Sequence, residues 1–171
     1  AIHLLEANPD KIEWTFLSLN TAPEAIKLLE ANQDKIDWIF LSLNPSAIKL
    51  LEANRDKIYW HFLSENPSAI KILEAIPEKI NWFYLSKNPI AMKLLEANPK
   101  KIIWNVLAQN PAPEAINLLK KNQDKIHWEH LSQNPAPEAI NLLKNNQDKI
   151  HWEHLSQNPA PEAIKLLEAN P

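Results

Sequence analysis

The sequence predicts an all-α solenoid, and three observations carry that prediction. Tryptophan occurs seven times in 171 residues, at Trp14, Trp38, Trp60, Trp82, Trp104, Trp128 and Trp152, with spacings of 24, 22, 22, 22, 24 and 24. A short fixed period of this kind is the signature of a repeat architecture. Within each period the apolar residues fall at helical spacing, as in Ala25, Ile26, Leu28 and Leu29. Leu and Ile supply 43 residues against a single Val, a balance that disfavours strands.

Aligned on Trp, the repeat reads A-I-x-L-L-E-A-N-P-D-K-I-x-W-x-x-L-S-x-N-P. Seven complete copies are followed by an eighth copy of the first half, Ala163–Pro171, so the expectation is seven two-helix repeats plus a final single helix. The first helix of a repeat runs from Pro23 to about Ala31. The second runs from about Gln33 to Leu43, with Ile36, Trp38, Phe40 and Leu41 as its apolar residues. Its start is marked by Asn8-Pro9-Asp10 or Asn32-Gln33-Asp34: an Asn N-cap, then Pro or Gln, then an acid in the first turn. The Asn that ends the second helix precedes Pro in most repeats, which suits it to cap the next first helix, and it is also suited to the left-handed conformation usually given to Gly. Those two roles account for 19 Asn beside no Gly. Recurrent Pro keeps the helices from fusing.

The two-residue length difference falls between Asn44-Pro45-Ser46-Ala47 and the longer Asn134-Pro135-Ala136-Pro137-Glu138-Ala139, which makes this segment a connection. Helices this short are marginal alone, so each pair must stack on its neighbours. The constant Ala25, Ala47, Ala69 and Ala91 mark the expected closest approach of the backbones. Residues 1–171 thus read as one repeat domain. Both ends fall at repeat boundaries without polar capping repeats, so the chain reads as a piece of a longer array, or as an engineered or self-stacking one. Residues 111–134 and 135–158 differ only at Lys121 against Asn145, which points to recent duplication or construction from a consensus.

Composition excludes many chemistries. Without Gly there is no P-loop, dinucleotide turn, nucleophile elbow or EF-hand loop. Without Cys there are no disulfides, zinc ribbons or thiol nucleophiles. The net charge of −3 argues against nucleic acid as a partner, and no apolar run reaches the ~18–20 residues of a membrane span. Ser18, Ser42, Ser64, Ser86, Ser132 and Ser156 recur once per repeat, as structural residues do, whereas catalysis needs one asymmetric constellation. No catalytic residue, cofactor or small-molecule site is expected. The Trp column reads as core or inter-repeat packing. His127 with His130 and His151 with His154 have i, i+3 spacing that could hold a metal. However, His130 and His154 occupy the column of Phe16, Phe40, Phe62, Tyr84 and Val106, so packing is the favoured reading and no metal is assigned. The Lys column from Lys11 to Lys149 and the Glu column from Glu6 to Glu96 read as a solvated face with weak ion pairs.

Positions freed from packing are the candidate site. The residue after Trp runs Thr15, Ile39, His61, Phe83, Asn105, Glu129, Glu153. The residue four further on runs Leu19, Leu43, Glu65, Lys87, Gln109, Gln133, Gln157. On an α-helix these two columns share a face, together with the repeated Lys and Ser. The candidate partner-binding residues are Thr15, Leu19, Ile39, Leu43, His61, Glu65, Phe83, Lys87, Asn105 and Gln109. Apolar side chains on that face fall in the first four repeats, and an exposed apolar patch marks an interaction site. The position before Trp (Glu13, Asp37, Tyr59, Asn81, Ile103, His127, His151) varies as freely.

The string L-L-E-A-N-P-D-K-I-x-W-x-x-L-S-x-N-P-x-A-I resembles the short tandem repeats of giant-virus, mimivirus-like proteins. The match is best over Ile26–Ser46 and Ile48–Ser68. This resemblance implies a helical repeat protein with no established catalytic residues, working in the host cytoplasm or the virion. A looser similarity is to the leucine-rich repeat variant, whose turn Pro135-Ala136-Pro137-Glu138 resembles; it implies that the second helix is partly 3₁₀. The expected function is a non-catalytic scaffold that binds another protein through the variable columns. The alternatives are a structural array, natural or consensus-built, that stacks head to tail on copies of itself, and a modular nucleic-acid reader.

Overall fold

The structure is a computed structural model that describes residues 8–170. It is an all-α tandem repeat of the solenoid type, with no strand among the described residues. The first helix expected in the Trp14 repeat, with His3 and Glu6, lies outside the described residues. The chain divides into two compact units, Ala1–Tyr84 and Leu85–Pro171.

Each repeat that lies wholly within the described residues contains a first helix, a 3₁₀ turn and a Trp helix. In the Trp38 repeat they are the first helix Pro23–Ala31, a 3₁₀ turn Gln33–Lys35 and a Trp helix Trp38–Leu43. Shorter repeats begin later, as in Ile48–Ala53 and Ile70–Ala75. The continuous second helix expected from Gln33 to Leu43 is broken by two extended residues, Ile36 (φ −65, ψ 131) and Asp37 (φ −83, ψ 97). The break has a physical cause. It turns Ile36 into the core and presents the Asp37 N–H to the Ser18 hydroxyl of the preceding repeat, 3.1 Å away.

The capping scheme also differs from expectation. Asn32 does not cap the following turn with its side chain; it closes the first helix, donating from Nδ2 to the Leu28 carbonyl at 2.8 Å. The residue before Trp begins the Trp helix instead, and the Asp37 carboxylate accepts from the Ile39 and Phe40 N–H groups. The left-handed role expected of Asn is overturned. Asn44 is extended (φ −76, ψ 113), and no described residue has positive φ. A side-chain hydrogen bond does what a left-handed residue would have done, so no turn requires Gly.

The core of the first unit is a row of fully buried leucines, Leu29, Leu41, Leu51, Leu63 and Leu73, with Ala25, Ala47 and Ala69 beside them. The second unit repeats this with Leu95, Leu107, Leu119, Leu131 and Leu143. Each buried Leu contributes about 1.5–3 kcal/mol. The Ala residues admit close helix approach.

A polar ladder locks the repeats in register. Asn44 Nδ2 donates to the carbonyls of Ser18 (2.9 Å) and Asn20 (3.0 Å) in the repeat before, while its Oδ1 accepts from the Ser46 N–H (2.9 Å). Asn66 does the same to Ser42 (3.0 Å) and Asn44 (3.1 Å). In the second unit Asn110 reaches Ser86 and Asn88, Asn134 reaches Ala108 and Asn110, and Asn158 reaches Ser132 and Asn134. A serine ladder runs alongside. Ser42 donates to Trp38 O at 2.7 Å and accepts the Tyr59 N–H of the next repeat at 3.0 Å. Ser64, Ser86 and Ser132 accept from Asn81, Ile103 and His151 in the same way. Placing the repeated Ser on the open face was therefore wrong for Ser18, Ser42, Ser64, Ser86 and Ser132, which are fully buried. Only the hydroxyl at Ala108 is missing from these interior links. Among the described residues every buried side-chain polar atom has a partner.

Candidate interaction surface

The Trp helices carry the variable columns. Their buried side is fixed by Leu41 and its equivalents and by Ser and Asn. The Trp rings stand at the boundary rather than in the core, half-buried from Trp14 to Trp128 and exposed at Trp152. Lys57 of the next repeat lies over the Trp38 ring at 4.7 Å, a cation–π contact that ties adjacent repeats.

In the first unit, Thr15 and Ile39 line one cleft of about 370 Å³ with Trp38 and Tyr59. Thr15 is not free there, because its hydroxyl donates to Asp37 Oδ2 at 3.2 Å. Leu19 is 39% exposed and Phe83 44% exposed, while Leu43 and Glu65 are half-buried. His61 is exposed and meets the Tyr84 ring edge-on at 6.2 Å, and Phe83 meets the same ring at 5.4 Å. The most exposed aromatic near the cleft is Tyr59, at 47%. It was not among the candidate residues, although the free variation of its column was the available signal.

In the second unit, Lys87 and Gln109 line a cleft of about 200 Å³ with Val106, Asn110 and Pro111. Asn105 is half-buried. The Gln109 amide is 2.7 Å from His130 Nδ1. The structure thus joins Thr15 with Ile39, His61 with Phe83 through Tyr84, and Lys87 with Gln109. It does not place Leu19, Leu43, Glu65 or Asn105 in either cleft.

The histidine pairs are engaged between repeats. His154 Nδ1 lies 3.3 Å from the Glu129 carbonyl and 3.7 Å from its carboxylate, and the His151 and His154 rings are 4.3 Å apart. Among the described residues no group of three or more His, Cys, Asp or Glu side chains is placed to hold a metal. Ion pairs are exposed, several between sequence neighbours: Asp34 with Lys35, Asp124 with Lys125, Asp148 with Lys149. The Lys125 ammonium, hydrogen-bonded to Asp124, holds that carboxyl below its usual value. No helix among the described residues is long and apolar enough to cross a membrane.

Fold and surface together define a class, a tandem helical repeat with a buried, invariant stacking face and a variable open one. No protein-family model matches the chain, and no match is found among curated proteins or solved structures.

Proposed function

We propose that the chain is a non-catalytic scaffold that binds another protein through the variable columns of its Trp helices. The observation that carries this reading is the exposure of Leu19 and Phe83 on Trp helices and of Tyr59 just before one, on elements whose other side is fixed by packing. Large apolar and aromatic side chains held on rigid elements are what hot spots are made of. The resemblance to giant-virus repeats supports a role in the host cytoplasm or virion. The net charge of −3 favours a protein partner over nucleic acid.

The test is proximity cross-linking followed by mass spectrometry, comparing the chain with a Leu19→Ser, Tyr59→Ser, Phe83→Ser variant. These exposed positions are better than Ile39 and Leu43, which are half-buried and whose loss costs stability. The expected outcome is a partner set that disappears in the variant while circular dichroism is unchanged. Equal recovery from both chains refutes the surface.

A further inference from the structure

We infer that the second unit, through a row of Lys side chains at its helix corners, docks on the matching acidic row in the first unit of another copy of this chain. A corner is the last turn of a first helix together with the 3₁₀ turn that follows it. Consecutive corners are neighbours along the stack: Lys121 Nζ reaches Glu96 Oε1 of the repeat before at 3.6 Å. In the first unit the corners are 30–35, 52–57 and 74–79. They carry Glu30, Glu52 and Glu74 in the helix, with Asp34, Asp56 and Glu78 in the turn. In the second unit they are 96–101, 120–125 and 144–149, where Lys120 and Lys144 replace the helix Glu and Lys100 replaces the turn acid. Acids outnumber cations six to four on the first row, and Lys outnumbers acids seven to three on the second.

Local pairing leaves both rows with charge to spare. Asp124 and Asp148 are taken by Lys125 (3.0 Å) and Lys149 (3.2 Å), and Glu96 by Lys121. Lys100, Lys101, Lys120 and Lys144 are exposed and have no ion pair among the described residues. On the acidic row Asp34 pairs with Lys35 at 3.5 Å. Asp56 has no such pair among the described residues, because Lys57 lies over the Trp38 ring instead. Glu30, Glu52 and Glu74 are exposed and likewise without an ion pair among the described residues. Their place works against their own helices: a carboxylate in the last turn faces the negative end of the helix dipole, where Lys is favoured. Helix stability therefore does not account for the acidic row, whereas a counter-charge from outside does.

A second copy is the partner because the two rows share a period. Both are cut from the same repeat, so their charges recur at the same spacing, about 8–10 Å where helices pack side by side. Lys side chains from successive repeats then meet carboxylates from successive repeats without adjustment, and the attractions add along the row. An unrelated acidic protein has no such register. Each pair is exposed and weak alone, and is screened beyond a Debye length of roughly 8–10 Å at about 0.1–0.15 M salt. The contact is accordingly salt-sensitive, and it engages the corners rather than the Trp helices that carry the variable columns.

The experiment is sedimentation velocity of the full chain at neutral pH, over a range of concentrations, at ionic strengths of about 0.01 M and about 1 M, where the Debye length falls from roughly 30 Å to roughly 3 Å. The expected result is concentration-dependent association at the low value that is lost at the high one. Lys120→Glu with Lys144→Glu should lower the association constant roughly tenfold or more, as should Glu30→Lys with Glu52→Lys, each with unchanged circular dichroism. Mixing the two variants should restore association, because each then offers the row that the other lacks. A wild-type monomer at low ionic strength overturns the inference, even if the chain takes up poly-glutamate, which would give the Lys row to a different acidic partner. Variants that associate as wild type does, or a mixture that stays monomeric, overturn it too. The Leu19, Tyr59, Phe83 variant should associate as wild type does, so failure here is distinct from failure of the partner surface.

Discussion

Replacing Asn134 with Leu tests whether the asparagine ladder holds the stack. Asn134 is buried and its side chain makes three hydrogen bonds: Nδ2 to Ala108 O at 2.9 Å and to Asn110 O at 3.0 Å, and Oδ1 from the Ala136 N–H at 3.0 Å. Leu keeps the branched skeleton but is larger, so the change leaves no cavity and adds some overpacking to the lost polar term. It strands two carbonyls and one N–H away from water. At about 1–3 kcal/mol for each buried unsatisfied group, with partial relief by relaxation, the expected loss is ~3–6 kcal/mol. That is a large part of the ~5–15 kcal/mol typical of a whole domain. Asn20→Leu is the internal control, because Asn20 is exposed and, among the described residues, its side chain makes only the bond from the Ala22 N–H, worth ~1 kcal/mol as a cap. Urea titrations followed by circular dichroism and Trp fluorescence measure both. Coupling between neighbouring repeats also predicts that Asn134→Leu splits the transition, with repeats beyond the break melting first. If Asn134→Leu lies within about 1 kcal/mol of Asn20→Leu, the ladder does not hold the stack and the buried leucines alone do.

Two further outcomes follow from the same bonds. Ala108→Ser restores the missing hydroxyl opposite the His127 N–H and is expected to stabilise the chain by ~0.5–1.5 kcal/mol, read as a higher urea midpoint. Asp37→Ala removes the acceptor for the Ile39 and Phe40 N–H groups and for Thr15, so it should cost ~1–2 kcal/mol, against a smaller loss for Thr15→Ala. Equal losses from those two variants would mean that the cap contributes nothing.

The period, the helical class and the first helix were legible because they rest on local spacing. Pro23–Ala31 has the bounds the apolar pattern and Pro at its start require. The break at Ile36–Asp37 was not legible. Ile36, Phe40 and Leu41 remain at helical spacing across it, and periodicity cannot register two extended residues. The cap before Trp was hidden for another reason. Asp37 and Asn81 accept N–H groups from the Trp helix, but Tyr59, Ile103 and His127 at the same position make no such bond. Ser42 looked like a surface residue because its decisive partner, the Tyr59 N–H, is 17 positions away. The variable columns were read correctly as differing between repeats. Their exposure was not, since it depends on the neighbour: Leu19 is open where Leu43, at the same position, is half-buried.

The ladder explains how one surface can vary while the stack does not. Its acceptors are main-chain carbonyls, so the identity of the accepting residue is immaterial. Asn134 bonds to the carbonyl of Ala108 at 2.9 Å, and Asn158 bonds to that of Ser132 at 2.9 Å. What the ladder demands is one Asn side chain per repeat with negative φ, and that same demand removes any need for Gly. Side chains one and five residues after Trp make none of the ladder's bonds. Substitution there leaves register intact, apart from contacts such as Thr15 to Asp37. A stack held by backbone acceptors can therefore carry Thr, Ile, His, Phe, Asn or Glu at one position without changing its fold, and that freedom is what a binding surface needs if repeats are to diverge toward a partner.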